Sequence, residues 1–380
     1  MMNYIALKDV CTINMGQSPE SSSYNEIGDG IPFFQGNADF GERYPITRVW
    51  CNKPTKVAKA EDILISVRAP IGAMNYAKEK CCIGRGVAAL TPNEEKVSSE
   101  FIFWLLKGKN NELNQKGTGS TFKAIGRKVL EEIQVPEINL ELQRKYASNL
   151  ERIYSIIQDR QRQLEQLDKL VRARFVEMFG TLHDNENGFE VVTIERVCSL
   201  IKDGTHQTPQ YTEDREKGYK FLSSKDVMSQ KIDWSDIKYI PAELHEKLYA
   251  TIKPQRNDIL MSKNGVNYGV AAVNDTNEVF DIYVSLALLR PKETIDPVFF
   301  KCVINNPETK RQFDSSIKGI GVPNLHLGEI KKTQILLPPK KLQKEFVAFV
   351  EQVDKSKDSV QKALDEAQLL FDSLMQQYFG

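Results

Sequence analysis

The most constraining feature of this 380-residue sequence is an internal repeat with a period near 200 residues. The run DILIS at 62–66 returns as DILMS at 258–262, and Leu142-Gln143 returns as Leu342-Gln343. Four glycine and proline positions also match at an offset of 202, namely Gly117, Gly119, Gly126 and Pro136 against Gly319, Gly321, Gly328 and Pro338. Ordered matches at so long a period indicate a tandem duplication rather than a solenoid of small repeats. The sequence therefore predicts two homologous halves.

Each half begins with a strand-rich part. Short apolar or alternating runs bounded by Gly, Pro, Asn and Asp are typical of strands, and they occur at 63–67, 87–90, 133–136, 271–273 and 284–289. One helix is expected within each half, at 100–117 and at 297–313. These elements predict a mixed α/β globule of ordinary domain size in each half.

Each half ends in a long stretch without proline or glycine, at 142–179 and 342–379. Apolar residues there follow a heptad-like spacing that predicts helix pairing: Ile153, Ile157, Leu164, Leu167, Val171, Val353, Val360, Leu364, Phe371 and Leu374. A helix of this length extends about 57 Å, which overhangs a single domain. The open alternative is that each helix only caps its own globule.

The fold class predicted from these patterns is α+β. Two homologous mixed α/β domains, at 1–140 and 181–340, are joined by long helices at 141–180 and 341–380. The helices are expected to form an antiparallel coiled coil with pseudo-twofold symmetry. Charged residues on the seam, such as Arg160, Arg174 and Lys357, are expected to fix register and partner choice at a cost in stability.

Composition and motifs exclude several classes of protein. The chain has 51 basic and 51 acidic residues, which excludes a histone-like coat but permits a local basic groove. Its six cysteines form no C-x-x-C pair, and neither a signal peptide nor an apolar run of membrane-spanning length is found, so we expect a cytoplasmic protein. No phosphate-binding loop or nucleophile elbow occurs, and the four histidines are too dispersed to suggest a metal site. An enzyme whose site is built from dispersed residues remains an open alternative.

The duplicated motifs carry a family resemblance. In the first half they are GQSP (16–19), EDILISVRAPIG (61–72), IGRGVAALTP (83–92), GSTFKAI (119–125) and VPEINLELQRK (135–145). In the second half they are DGTHQTPQY (203–211), NDILMSKNG (257–265), SLALLRP (285–291), GVPNLHL (321–327) and LLPPKKLQKEF (336–346). As an ordered, duplicated set they closely resemble the specificity (S) subunits of Type I restriction–modification systems. One departure is that the family's Gly-Asp turn reads Glu61-Asp62 and Asn257-Asp258 here.

The resemblance implies a function as well as a fold. It implies two target-recognition domains on two long helices, no catalytic activity in this chain, and recognition of a bipartite double-stranded DNA sequence. Two methyltransferase (M) and two restriction (R) subunits would be the partners, and S-adenosylmethionine, ATP and magnesium would belong to them. The alternatives are a specificity module that retains nuclease or methyltransferase chemistry, and a DNA-independent scaffold that uses the coiled coil alone.

Candidate DNA-binding residues are polar or basic side chains in loops between apolar strands. Arg and Lys suit guanine, and Asn and Gln suit adenine, in the major groove. In the first half the candidates are Gln35, Asn37, Arg68, Arg85, Lys123 and Arg127. In the second half they are Thr205, His206, Tyr211, Lys225, Lys263, Asn264, Lys318 and Asn324. The halves differ most at 17–60 and 205–256, so we expect an asymmetric target whose half-sites can be exchanged separately.

Overall fold

The computed structural model describes residues 3–119, 123–317 and 322–380. The chain divides into two compact units. The first unit comprises Met1–Arg162 and Gln361–Gly380, and the second comprises Gln163–Val360. Each unit thus contains part of both long helices.

The first unit is built on a four-stranded antiparallel sheet of order β2-β10-β7-β8. A second sheet of order β3-β5-β4-β9-β6 contains a parallel β4–β9 pair, and β1 pairs with β11. The elements are β1 (Tyr4–Ala6), β2 (Cys11–Met15), β3 (Tyr24–Asn25), β4 (Ile31–Phe34), β5 (Trp50–Cys51), β6 (Val57–Ala58), β7 (Ile63–Ser66), β8 (Met74–Tyr76), β9 (Cys81–Ile83), β10 (Val87–Pro92), α1 (Ser99–Gly108), α2 (Asn110–Gln115), α3 (Arg127–Glu131), β11 (Gln134–Pro136) and α4 (Leu140–Phe179).

The second unit repeats this plan. Its antiparallel sheet has the order β13-β19-β16-β17, its smaller sheet β15-β14-β18 has a parallel β14–β18 pair, and β12 pairs with β20. The elements are β12 (Glu190–Thr193), α5 (Ile194–Val197), β13 (Cys198–Asp203), β14 (Tyr219–Leu222), β15 (Lys238–Ile240), α6 (Ala242–Tyr249), β16 (Ile259–Ser262), β17 (Ala271–Val273), β18 (Phe280–Ile282), β19 (Leu286–Pro291), α7 (Pro297–Ile304), α8 (Pro307–Ser316), α9 (Leu327–Lys332), β20 (Gln334–Leu337) and α10 (Lys340–Phe379). The matching strand orders confirm the duplication and the predicted fold class.

At Gly126 the repeat has a different register from the one predicted, while Gly319 and Gly321 lie outside the described residues. The N–H of Ile125 bonds to Val67 O, and the N–H of Leu325 bonds to Lys263 O, which makes Ile125 and Leu325 equivalent at an offset of 200. Gly126 therefore corresponds to His326, and these two residues are the N-caps of α3 and α9. The match of Gly126 to Gly328 at 202 was wrong, because hydrogen bonding rather than glycine identity defines the equivalence.

The helix predicted within each half is broken in two. In the first unit the break falls at Lys109, between α1 and α2. In the second unit Pro307 begins α8, and the Asn306 side chain caps it by accepting from Glu308 N–H. Proline fits the first turn of a helix but interrupts a helix that is already running, so the apolar periodicity alone could not show this break.

The long helices α4 and α10 pair in an antiparallel manner within each unit. In the first unit, Tyr146 stacks on Tyr378 with ring centroids 3.7 Å apart, and Phe371 lies 6.0 Å from Tyr154 further along α4. In the second unit, Phe175 packs edge-on to Phe346 at 5.5 Å, and Lys357 bonds to Asp168 at 2.5 Å. Partner numbers on α10 fall as those on α4 rise, which is the signature of antiparallel pairing.

The predicted pairing residues divide between the two units. Ile157 and Phe371 are buried in the core of the first unit, and Val353 is a buried residue of the second. The other members are half-buried: Ile153, Leu164, Leu167, Val171, Val360, Leu364 and Leu374. The seam charge at Arg174 has its guanidinium 5.9 Å from the Phe349 ring and is bonded to Glu177. This is how a cation is accommodated on an otherwise apolar stripe.

The turn that departs from the family pattern keeps one conformation in both units. Glu61 has a φ of 66° and Asn257 a φ of 74°, so both occupy the left-handed region that favours glycine. The following carboxylates hold the turn, because Asp62 accepts from Lys59 N–H and Asp258 accepts from Gln255 N–H. The turn therefore forms without glycine, at the cost of local strain.

This strain predicts that Glu61→Gly stabilises the first unit. A side chain in the left-handed region costs about 1–2 kcal/mol, and glycine removes this cost. Part of the stability gained is lost again, because glycine has greater conformational freedom in the unfolded chain. We expect a net gain of about 0.5–1 kcal/mol in the free energy of unfolding, measured by urea denaturation. Asn257→Gly should gain less, because asparagine tolerates this region better. A loss of stability in Glu61→Gly would contradict the argument.

Candidate nucleic-acid interface

Four of the first-half candidates meet in one open groove. Gln35 and Asn37 follow β4, Arg68 follows β7, and Arg85 lies between β9 and β10. With Ser18 they line a groove of about 580 Å³, which we call the first groove. Because these strands end on the same side of the domain, residues far apart in sequence contribute to one surface.

The shape of the first groove depends on close backbone contacts. The Asp39 carboxylate accepts the N–H groups of Gln35 and Gly36, at 2.7 and 3.3 Å, which fixes the loop after β4. A Cβ added to Gly86 would lie 2.2 Å from Gln35 O, so only glycine permits this approach. Gln35 and Asn37 are therefore presented by a loop whose backbone is held by hydrogen bonds to Asp39.

The charge in the first groove is available to a ligand. Arg68 and Arg85 are exposed. Among the described residues Arg68 has no ion pair, and Arg85 makes side-chain contact only with the Ser18 hydroxyl, at 3.4 Å. Asp39 is already engaged by two N–H groups. An anionic or hydrogen-bond-accepting ligand is thus the chemistry that fits this groove.

The other two first-half candidates, Lys123 and Arg127, do not line the first groove. Lys123 is exposed and adjacent, because its carbonyl accepts the Ala69 N–H at 3.0 Å. Arg127 begins α3 and donates to Ile13 O and to Glu131. Its guanidinium therefore ties α3 to β2, which is a structural role.

In the second unit an unpredicted acid, Asp203, contacts two of the candidates. Asp203 Oδ2 accepts from Lys263 Nζ at 2.7 Å and lies 3.2 Å from His206 Nε2. Thr205 is two residues further on, and its hydroxyl accepts the Gln207 N–H. Burial would raise the pKa of Asp203, but the hydrogen bond and charge of Lys263 outweigh it, so the pKa lies below its usual value.

This arrangement gives Lys263 a structural role. Its side chain is only 5 % exposed and is neutralised by Asp203, so it does not offer a free cation to a phosphate or base. Motif spacing alone could not pair these two side chains, because Asp203 lies 60 positions from Lys263, at the end of β13. Asp203 is the residue that sequence reasoning missed, and its position in the DGTH motif was the available signal.

The remaining second-half candidates lie in separate places. Asn264 and Asn324 face each other across an isolated antiparallel bridge. Tyr211 packs on Phe221, and the ammonium of Lys238 lies 4.3 Å from the centre of the Tyr211 ring. Lys225 donates to Asp236 at 2.7 Å, and this hydrogen bond raises the pKa of the ammonium. Lys318 lies outside the described residues.

The described residues contain neither a metal-binding cluster nor a membrane-spanning helix. Within residues 3–119, 123–317 and 322–380, no three His, Cys, Asp or Glu side chains are grouped so as to hold a metal ion. In the same part of the chain, every helix is too short or too polar to cross a bilayer.

Solved structures with a similar fold support the architecture. The S subunit of a Type I restriction–modification system from M. genitalium matches with a TM-score of 0.58 at 15 % identity, covering 100 % of this chain and 96 % of that one. A chain from a structure of the type I R-M system matches with a TM-score of 0.56 at 17 % identity, covering 100 % and 97 %. At these identities the likeness concerns the fold.

Sequence relatives give the family. The EcoBI type I restriction enzyme specificity subunit of Escherichia coli is 22 % identical over 98 % of this chain and 83 % of its own length. The MjaX specificity subunit of Methanocaldococcus jannaschii is 48 % identical over 157 residues, which are 41 % of this chain and 37 % of that protein. The family described as Type I restriction modification DNA specificity domain matches twice, at residues 2–167 and 186–368. With both halves matched, the chain belongs to the family of Type I restriction–modification specificity subunits.

Proposed function

We propose that this chain selects the DNA target of a Type I restriction–modification complex and is itself non-catalytic. The observation that carries the proposal is the first groove, where Gln35 and Asn37 converge with the two exposed guanidinium groups of Arg68 and Arg85. Such side chains suit the phosphates and base edges of a duplex. The second unit offers a different set of side chains on the same scaffold, so the target is bipartite and asymmetric.

Membership of the family supports a proposal about the partners of this chain. Two methyltransferase subunits and two restriction subunits would assemble with this chain in the cytoplasm, and S-adenosylmethionine, ATP and magnesium would serve them. Because basic and acidic residues balance over the chain, at 51 each, we expect the isolated chain to bind DNA weakly. Partner subunits would then supply additional phosphate contacts.

The direct test maps methylated positions across the genome of cells that express the complete system, with and without this chain. We expect a single bipartite, non-palindromic motif that appears only when the chain is present. Methyl transfer by the isolated chain would contradict its non-catalytic role. A complete, active complex that methylates without sequence preference would contradict target selection.

The double variant Arg68→Ala, Arg85→Ala should weaken specific binding by the reconstituted methyltransferase complex. Each lost charged contact costs about 1–3 kcal/mol, so the combined loss in affinity should be about 30-fold or more. Fluorescence anisotropy with the mapped target measures it. Lys128→Ala is the matched control, because Lys128 is an exposed cation on α3 outside the groove. Equal losses in both variants would contradict the assignment of the groove.

A further inference from the structure

The loops that follow β7 and β16 make corresponding hydrogen bonds, although the second loop is one residue longer. Ser66 Oγ donates to Pro70 O at 2.7 Å, and Ser262 Oγ donates to Asn267 O at 2.8 Å. Ala69 N–H bonds to Lys123 O, and Gly265 N–H bonds to Pro323 O, both at 3.0 Å. These bonds make positions 68 and 264 equivalent, and they do the same for positions 124 and 324.

At these equivalent positions the two units carry different side chains. An isolated antiparallel bridge joins Arg68 to Ala124 in the first unit and Asn264 to Asn324 in the second. Directly opposed residues of such a bridge project to the same face, so each pair forms one small surface. The first surface is a long cation beside a methyl group, and the second is two adjacent carboxamides.

At a second pair of equivalent positions, the first unit again carries an arginine and the second unit does not. Gly84 N–H bonds to Phe34 O and Tyr283 N–H bonds to Leu222 O, which makes the residues after them, Arg85 and Val284, equivalent. The second unit therefore lacks both guanidinium groups that line the first groove. The difference concerns base chemistry as well as charge, because guanidinium groups suit guanine best.

The carboxamide pair contains an unsatisfied atom. Asn264 Oδ1 is buried and has no hydrogen-bond partner among the described residues. A buried polar atom without a partner costs about 1–3 kcal/mol, which rotation of the Asn264 carboxamide onto a matching group of a ligand would recover. The major-groove edge of adenine presents both a donor and an acceptor, which is the pattern that a carboxamide pairs with.

We propose that this bridge pair sets the base preference of each domain. The first unit reads a guanine through Arg68, assisted by Arg85, and the second reads an adenine through Asn264 and Asn324. This inference rests on the proposed function, since it names the bases contacted by the surfaces proposed to bind DNA.

The test exchanges the two pairs in the complete methyltransferase complex. Arg68→Asn with Ala124→Asn should remove the preference for one G·C pair in one half-site. Asn264→Arg with Asn324→Ala should remove the preference for one A·T pair in the other. Each preference should fall by about 5- to 100-fold, measured as relative affinity on a panel of duplexes with single base-pair changes. Lys128→Asn, on exposed α3 surface, should leave both half-sites unchanged.

The outcomes separate the inference from the function on which it rests. If an exchanged pair lowers affinity equally for every duplex, or leaves the preferences intact, the bridge does not read bases and the inference is wrong. If the unaltered complex shows no preference on any panel, the proposed function itself fails. The ratio of affinities between duplexes is unaffected by a reduced fraction of folded complex, so a poorly folding variant still gives a decisive answer.

Discussion

Removal of residues Gln361–Gly380 should abolish the folded first unit and leave the second unit folded. These residues complete the core of the first unit, although they lie about 200 positions from the rest of it. Phe371 packs against Trp104 at 5.6 Å, and Phe379 packs against Phe101 at 5.3 Å. Truncation of one buried aromatic side chain costs about 3–5 kcal/mol, so the loss of several approaches the whole stability of a domain.

Hydrogen exchange measured by mass spectrometry on the truncated chain resolves the two units. Amides of β7, β10 and α1 should lose protection, while those of β16, β19 and α7 should keep theirs. The control is the full-length double variant Leu369→Ser, Leu370→Ser, whose side chains are 73 % and 51 % exposed and should be replaceable without loss. Retained protection in β7 and β10 would show that the α10 segment does not complete this core.

The long helices could be predicted because their signal is local. An uninterrupted heptad-like stripe determines both the helix and its apolar face, and the structure has helices of 40 residues at the predicted places. The division of each helix between two units was not predictable. It depends on which aromatic residues of the globules, such as Trp104 and Phe299, meet the stripe.

The candidate site was only partly predictable for a related reason. Sequence reasoning selected Arg68, Arg85 and Lys263 by the same criterion of a cation in a loop. Only the structure separates them, because Arg68 and Arg85 are exposed while Asp203 neutralises the buried Lys263. Side-chain type follows from sequence, but the partner of a side chain depends on tertiary contacts that periodicity and motifs do not encode.

A recurring motif without an assigned role acquires one in the structure. Gln143 and Gln343, which follow Leu142 and Leu342 in the repeat, are both fully buried near the start of a long helix. Gln143 Oε1 accepts the Ser98 N–H at 2.9 Å, and its Nε2 donates to Lys96 O and Ile138 O at 3.1 and 2.8 Å. Gln343 makes the equivalent bonds to Asp296, Thr294 and Pro338.

Gln143→Ala should therefore lower the free energy of unfolding of the first unit by about 3–6 kcal/mol, because three backbone groups lose their partner at a buried site. Hydrogen exchange of α1 under mild urea measures this, with α7 of the second unit as internal reference. Gln343→Ala should instead lower the protection of α7 and leave that of α1 unchanged. Gln361→Ala is the control, because Gln361 is exposed and its amide donates to Asp365 one turn along α10. If Gln143→Ala and Gln361→Ala gave the same protection in α1, the hydrogen bonds of Gln143 would not stabilise the packing of the long helix on its domain.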